Sequence, residues 1–403
     1  PSIAHALLAS AERGAALERM RTARSQEALT IRAQGERQQD HDEQLKQRHD
    51  GDRGIRAHRQ HHVRDLLAAV AGGVGGRLGK FLAAAFTLFT IFASFGIGNL
   101  TQANAVAVAM HDAFCLEPVA TGVILFFLIG MVLLGGIETI GKVTSAFVPL
   151  MIIIYIAGGT VVLIANASGI PGALALIFHD AFTGTAATGG FVGSTIMVAL
   201  QMGVARGIFS NESGMGSAAI AAAAAKTPHP ARQGLVSMTQ TFIDTIIVVA
   251  ITGLVIVVGG TWDMGRDEAG IMTAEAFSRV LPGDWGGTIV SLSIIFFAFS
   301  TIMAWAYYGE RSLESLCGRK ASIPYRMFFA CLLFVGSVSE LELAWTFSDL
   351  ANGLIAIPNL IGLLLLSGLV ARETKAYLAF DPKLTKPVDE VRAFVESQGM
   401  DWK

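Results

Sequence analysis

The stretch Gly203-Val-Ala-Arg-Gly-Ile-Phe-Ser-Asn-Glu-Ser-Gly-Met-Gly-Ser217 decides how this chain folds, because it is polar and glycine-rich yet lies inside an apolar segment at 191–225. Unpaired backbone groups are costly in hydrocarbon, so irregular chain occurs at membrane depth only where it lines protein or a water-filled cavity. A helix broken in this way offers free N–H groups to a carboxylate and free carbonyls to a cation. A cytoplasmic loop between two short helices is the alternative interpretation, but the pattern of spans and charges described below favours a crossing.

The composition is that of a membrane protein. Of the 403 residues, 52% are hydrophobic and only 15% are charged, whereas soluble domains usually carry about 25% charged residues. The net charge of −2 argues against nucleic-acid binding, which relies on a basic surface. The three cysteines show no metal-ligand spacing, so we interpret them as packing residues. The sequence contains no recognisable nucleophile–base pair, metal cluster or phosphate loop, and we therefore predict that the protein is not an enzyme and has no cofactor.

Eight segments are long and apolar enough to cross a bilayer, which takes about 20 residues. They are 78–110, 121–136, 144–165, 191–225, 235–259, 286–308, 325–340 and 344–371. Basic residues in short loops mark the cytoplasmic side, and they follow every second predicted span, for example at Lys142 and Arg372. An even number of spans with both ends in the cytoplasm fits this alternation, with a long last helix kinked at Pro358. We therefore predict about eight membrane helices within 77–372 and a cytoplasmic tail at 373–403.

Polar side chains inside the predicted spans are candidates for binding. Gln102 lies near Gly96 and Asn99 on one helical face, and an amide there either joins two helices or binds a ligand. Ser300 and Thr301 present hydroxyl oxygens that suit a hard cation such as Na⁺, although paired hydroxyls in a membrane helix more often bond to their own backbone. Spacing alone leaves both alternatives open for the amide and for the hydroxyl pair.

Two further side chains inside the spans also have more than one interpretation. Trp305, one turn beyond the hydroxyl pair, is a candidate for the wall of a small site, for the core or for an interface belt. Asp244 is a functional candidate because carboxylates are rare inside membranes. A structural partner such as Arg206 would satisfy the Asp244 carboxylate equally well.

Several long motifs resemble those of one family. The stretch that ends at Ser217 is followed by His229-Pro-Ala-Arg-Gln-Gly234 and Phe242-Ile-Asp-Thr245, while Gly96-Ile-Gly-Asn-Leu-Thr-Gln-Ala-Asn104 and Trp305-Ala-Tyr-Tyr-Gly-Glu310 fit the same pattern. Over about 77–375 the sequence resembles the alanine or glycine:cation symporter family. That family is similar to the five-plus-five inverted-repeat transporters of the amino acid–polyamine–organocation group, which are all-α polytopic membrane proteins.

The resemblance implies Na⁺-driven symport of alanine or glycine across the cytoplasmic membrane by alternating access, with Na⁺, the amino acid and the lipid bilayer as partners. By position, the first predicted span would be the third helix of that fold, the fourth its broken sixth helix, and the sixth its eighth. On these matches the resemblance assigns to the substrate site Gln102, Phe209, Ser210, Asn211 and Trp305. It assigns to Na⁺ the pair Ser300 and Thr301, and to the broken helix the glycines Gly207, Gly214 and Gly216.

The start of the chain departs from the family pattern, which begins with a broken first helix of Gly-Thr-Gly-Asn type. No Phe, Trp or Tyr precedes Phe81, and six of the nine histidines lie within 1–65. Such a segment cannot bury enough apolar surface to offset its ordering entropy. We expect residues 1–76 to be disordered or the product of a shifted reading frame, in place of the first helices. The alternatives to symport are a related permease with another substrate or ion, and a truncated product that does not transport.

Overall fold

A computed structural model describes residues 76–183, 192–225, 227–264, 268–281 and 285–397. The chain divides into two units between His61 and His62, and every described residue belongs to the second unit. Within the described ranges all regular elements are helical. The prediction for residues 1–76 lies outside the described residues, except for Gly76.

Fourteen α-helices and two wide π-helical turns make up the described part of the chain. They are α1 (Gly76–Phe95), a π turn (Gly96–Leu100), α2 (Thr101–Phe114), α3 (Pro118–Leu134), α4 (Gly136–Ala165), α5 (Ile170–Thr183), α6 (Val192–Asn211), α7 (Ser217–Ala222), α8 (Pro230–Thr241), a second π turn (Phe242–Val249), α9 (Ala250–Val258), α10 (Met272–Ser278), α11 (Trp285–Cys317), α12 (Ser322–Val338), α13 (Leu341–Phe380) and α14 (Val388–Ser397). Proline occupies the start of α3 and α8, where its missing N–H has no helical partner to lose.

Among the described residues, six helical stretches are long and apolar enough to cross a membrane. These are Arg77–Phe114, Val148–Ala165, Pro230–Val258, Trp285–Cys317, Arg319–Val338 and Leu341–Phe380. The chain is therefore a polytopic helical membrane protein, and each stretch overlaps one of the eight predicted spans. The other two predicted spans correspond to α3, a shorter apolar helix of 17 residues, and to α6 with α7, so the number eight stays a prediction. The sequence interpretation missed α5, which has only 14 residues.

The helices pack closely through small residues. The helices α2, α3, α11 and α12 share one apolar core, in which Ile129, Ile302 and Phe329 are all 0% exposed. A Cβ at Gly336 of α12 would lie 2.8 Å from Cα of Leu100, so only glycine allows α12 to approach the first π turn this closely. Close backbone approach of this kind is the usual basis of helix association in lipid.

The chain beyond the last long helix is helical as well. The helix α13 continues through Pro358 to Phe380, so the predicted tail at 373–403 begins inside a helix. The helix α14 then packs back against it, and Tyr377, Val391 and Val395 are 0%, 0% and 2% exposed in their cluster. The two valines lie four residues apart, and therefore face the same side of α14. The sequence interpretation did not predict α14.

Candidate functional site

The predicted broken helix is interrupted at 212–216, between the end of α6 and the start of α7. Gly214 and Gly216 have φ values of +86° and +82°, in the left-handed region that favours glycine. A Cβ at Gly216 would also lie 2.4 Å from Oδ1 of Asn359 and 2.9 Å from the Phe86 ring. Glycine at 216 is therefore required both by the backbone conformation and by the close approach of α1 and α13.

The break is shorter than the sequence interpretation had it. Gly207, which the resemblance assigns to the broken helix, lies in the regular helix α6 that precedes the interruption. A Cβ at Gly203 or at Gly207 would meet nothing within 4 Å. The helix is regular as far as Asn211, and the Glu212 N–H still donates to the Ile208 carbonyl one turn earlier, at 2.9 Å.

Side chains from three helices hold the break in place. The Asn359 amide of α13 donates to the Gly214 carbonyl at 2.7 Å, which satisfies a backbone group that the broken helix leaves without an internal partner. The Ser217 hydroxyl donates to the Glu212 carboxylate at 2.8 Å, across the break. The Trp305 indole of α11 hydrogen-bonds the same carboxylate. Met215, in the middle of the break, is 0% exposed.

The first π turn lies beside the same tryptophan. A Cβ at Gly98 would lie 1.9 Å from Cβ of Trp305, so the α11 side chain packs directly on the backbone of the turn. The Gln102 amide donates to the Ile97 carbonyl at 3.1 Å, within its own helix. Asn99 is the amide that joins two helices, because it donates to the Phe329 carbonyl of α12 at 2.7 Å.

One apolar cluster brings several predicted site residues together. It contains Ile97 of the first π turn, Met215 in the break and Trp305 of α11, and Phe209 packs against it. Trp305 is 1% exposed, and its ring meets Tyr308 edge-on at 5.4 Å between centroids. The structure therefore places Phe209 and Trp305 at one meeting point of α1, α6, α11 and α13.

Ser210 and Asn211 bond in another direction. The Ser210 hydroxyl donates to Asp244 at 2.6 Å, and the Asn211 amide donates to the Thr245 hydroxyl at 3.0 Å. Both acceptors lie in the second π turn, so these two residues join α6 to the π turn between α8 and α9. Neither of these two hydrogen bonds involves Trp305.

The partner suggested for Asp244 proved to be wrong. Arg206 instead makes a two-pronged ion pair with Asp349 of α13, at 3.0 and 2.7 Å. The guanidinium also lies over the Trp345 ring, 4.1 Å from its centroid, and Phe209 packs on that ring at 5.0 Å. Asp349 reaches Arg206 from α13, 143 residues further along the chain, and sequence spacing does not contain such a relation.

The hydroxyls assigned to Na⁺ bond to their own helix. Both Ser300 and Thr301 donate to the Phe297 carbonyl, at 2.8 and 2.9 Å, which is the backbone-bonded alternative considered for the pair. A hydroxyl that donates its proton in this way still has oxygen lone pairs for a cation. In the part of the chain that the structure describes, no group of three or more His, Cys, Asp or Glu side chains could hold a metal ion.

The loop after the break is anchored outside the membrane by His229. Its Nδ1 accepts the Ala231 N–H at 3.1 Å and caps α8, and its ring stacks on Tyr377 at 4.0 Å between centroids. Burial lowers the pKa of His229, and the Arg232 charge lowers it further, whereas the Glu373 carboxylate opposes that shift. The neutral imidazole is thus the form that caps the helix.

The family model of the sodium:alanine symporter family matches residues 70–390. The chain belongs to the sodium:alanine symporter family. The match covers the π turns, the break and all long helices, and it confirms the resemblance found in the motifs at 96–104 and 206–217.

Curated relatives agree with this assignment. The sodium/alanine symporter AgcS of Methanococcus maripaludis is 48% identical over 303 residues, which are 74% of this chain and 66% of that protein. An uncharacterized transporter of Haemophilus influenzae is 44% identical over 324 residues, 79% of this chain and 71% of its own length. The probable sodium/glutamine symporter GlnT of Bacillus subtilis is 35% identical over 301 residues, 74% and 62% of the two chains. The chain thus spans about two thirds of the length of these relatives.

Three contributors to the site were missed from the sequence. Asn359 and Trp345 lie in the last predicted span at 344–371, but their spacing gave them no role. Glu212 was noted as one polar residue of the stretch, without partners. A usable signal for Asn359 was its place after Pro358, since a proline inside a membrane helix disturbs the backbone hydrogen bonds and marks a place where neighbouring elements approach.

Proposed function

We propose that this chain carries out sodium-coupled symport of a small neutral amino acid, alanine or glycine, across the cytoplasmic membrane. The observation that carries the proposal is the break at 212–216, which interrupts a helix beside the buried Trp305. Free backbone groups at such a break are the usual way in which a membrane protein holds a substrate carboxylate next to a cation. Membership of the sodium:alanine symporter family supports the same function.

For the substrate we assign Gln102, Phe209, Ser210, Asn211 and Trp305. Phe209 and Trp305 meet in one apolar cluster, and two large rings at the break leave room for a short side chain rather than a long one. The amide and hydroxyl groups would orient the zwitterion, in the manner of sites where few polar groups fix a ligand inside an apolar pocket. We also assign to the broken helix the glycines Gly207, Gly214 and Gly216, of which the last two adopt the positive φ of the break.

For the coupling ion we assign Ser300 and Thr301. Both hydroxyls donate their protons to the Phe297 carbonyl, so each oxygen has only lone pairs left to offer to a cation. Two neutral oxygens on one turn suit a monovalent ion, because no carboxylate is needed to balance a second charge. Na⁺ would complete its shell with backbone carbonyls and with the substrate carboxylate.

We further propose that the described helices form part of a five-plus-five inverted-repeat fold. In this arrangement the stretch Arg77–Phe114 is the third helix, α6 with α7 is the broken sixth, and α11 is the eighth. Residues 77–372 would be the membrane domain, with residues 1–76 and 373–403 outside it. The close contacts of the break with α1, α11 and α13 support this assignment.

The test is uptake of radiolabelled alanine by proteoliposomes that contain the full chain. We expect uptake to require an inward Na⁺ gradient, and to be inhibited by unlabelled alanine and glycine but weakly by leucine. Glutamine is a necessary competitor, because GlnT is named for it. Inhibition by glutamine alone would favour a permease of other specificity, and the absence of Na⁺-dependent uptake by folded protein would overturn symport.

Two glycine variants connect the uptake to the break. Gly216→Ala should abolish uptake, since it puts a Cβ at positive φ and 2.4 Å from Asn359. Gly203→Ala, in α6 just before the break, is the matched control, because a Cβ at this position would meet nothing within 4 Å. Equal effects of the two changes would separate the break from transport.

A further inference from the structure

Glu212 is an unusual residue for the first position of the break. Its φ is +56°, a conformation that costs a residue with a Cβ more than it costs glycine. Glycine stands at the other two left-handed positions of the break, Gly214 and Gly216. The side chain at 212 must therefore make contacts that offset the backbone strain.

The contacts of Glu212 connect the break to α11. The Ser217 hydroxyl donates to Oε2 at 2.8 Å from the first residue of α7, and the Trp305 indole hydrogen-bonds the carboxylate from α11. One side chain thus connects both halves of the broken helix with a third helix. Among the ion pairs of the described residues, none includes Glu212, so its contacts within the protein are hydrogen bonds rather than a charge pair.

The indole of Trp305 is held on its other sides by close packing. The backbone at Gly98 leaves no space on the Cβ side, and the Tyr308 ring meets the indole edge-on at 5.4 Å. An indole N–H can only donate, and in a side chain that is 1% exposed it needs an acceptor. Glu212 supplies that acceptor, so the carboxylate fixes how far the indole is rotated.

We propose that Glu212 is a positioning residue, which orients Trp305 against the break and so sets the wall of the amino-acid site. The proposal rests on the proposed function for the role of Trp305. The bond itself does not need a charge. A glutamine at 212 can accept from the indole with its carbonyl and donate to the Ser217 oxygen with its amide, and therefore keeps both hydrogen bonds.

The experiment compares Glu212→Gln with Glu212→Gly. Glycine suits the positive φ, so Glu212→Gly removes the carboxylate without adding backbone strain. The first readout is the ¹⁹F NMR spectrum of protein labelled with 5-fluorotryptophan, in which the Trp305 resonance is assigned by its loss in Trp305→Phe. We expect Glu212→Gly to shift or broaden that resonance and Glu212→Gln to leave it near its original position.

The second readout is the half-saturating alanine concentration for Na⁺-dependent uptake. We expect Glu212→Gly to raise it about tenfold, the size of one lost hydrogen bond, and Glu212→Gln to change it less than about threefold. Trp305→Phe should raise the half-saturating concentration by a similar factor. In the double variant Glu212→Gly/Trp305→Phe this concentration should exceed that of either single variant by no more than about twofold.

Three results would overturn the proposal. Equal damage by Glu212→Gln and Glu212→Gly would mean that the charge matters, as it would for a bound cation. An unchanged Trp305 resonance in Glu212→Gly would show that the carboxylate does not orient the indole. Fully additive effects in the double variant would mean that the two residues act separately. If the unmodified chain takes up no alanine, the proposed function fails, and the fluorine resonance still decides the positioning.

Discussion

The ion pair between α11 and α12 offers the sharpest test of what holds the helices together. Glu310 is 3% exposed and accepts two bonds from Arg326, at 2.8 and 2.7 Å. Arg311 adds a third bond at 3.1 Å. The change Arg326→Ala removes the two short bonds, and leaves the buried carboxylate with one cation.

The expected cost follows from these contacts. Breaking a buried pair from one side costs roughly 3–5 kcal/mol, mostly because a buried charge is left uncompensated. Arg311 remains and the Arg326 side chain is 18% exposed, so the lower end applies, about 3 kcal/mol. Replacing both partners, in Glu310→Leu/Arg326→Leu, removes the stranded charge and should cost no more than about 1 kcal/mol.

The assay is the free energy of unfolding in mixed micelles, from titration with a denaturing detergent. The control is Glu275→Ala, which breaks a pair whose side chains are both 44% exposed and should cost less than about 1 kcal/mol. A loss below about 1 kcal/mol for Arg326→Ala, or a double variant as unstable as Arg326→Ala, would refute the reasoning about the buried charge.

Three further predictions concern other parts of the molecule. Gly98→Ala puts a Cβ 1.9 Å from Cβ of Trp305, and should lower the free energy of unfolding by about 1–3 kcal/mol through overpacking. Burial lowers the pKa of His229 below its ordinary 6.5, so the unfolded state binds the proton more readily than the folded state. The stability contributed by the neutral imidazole should therefore be full above about pH 6.5 and fall as the pH drops toward the lowered pKa. Protection of the α14 amides from hydrogen exchange measures this loss. A double-mutant cycle of Arg206→Ala and Asp349→Ala should give a coupling energy of about 1 kcal/mol, since both side chains are 36% exposed.

Two of these predictions have a matched control variant, and the third has a defined outcome that would contradict it. Gly130→Ala adds a Cβ with nothing within 4 Å, so it should leave the unfolding free energy unchanged. His229→Asn keeps a side-chain oxygen for the cap of α8 but does not titrate, so the loss of α14 protection at low pH should disappear. In the cycle, a coupling energy near zero would mean that the Arg206–Asp349 pair adds nothing to stability.

The sequence allowed much of the architecture to be predicted, because crossing a membrane requires long apolar helices. All six observed long stretches overlap predicted spans, and the interruption at 212–216 lies inside the polar stretch at 203–217. The helices that were missed, α5 and α14, have 14 and 10 residues. Both are too short for a bilayer span, so a search by length and hydropathy did not detect them.

The contacts of the site were less predictable than the helices. Arg206 was one possible partner for Asp244, which lies nearer in sequence, but the partner of Arg206 is Asp349. The Ser210 hydroxyl donates a hydrogen bond to the Asp244 carboxylate instead. Helical periodicity gives the face on which a side chain lies, but the rotation of each helix relative to its neighbours comes from packing across the whole bundle.

The sequence by itself thus determined that the chain enters a membrane, where one helix breaks and to which family it belongs. These properties depend on local composition and on short motifs, such as the one whose glycines Gly214 and Gly216 adopt positive φ at the break. Only the tertiary structure decided that Asn359 satisfies the Gly214 carbonyl, that Gly98 packs on Trp305 and that Glu212 reaches the indole. Each of these contacts joins residues far apart in the sequence, so it depends on how the helices are packed and rotated against one another.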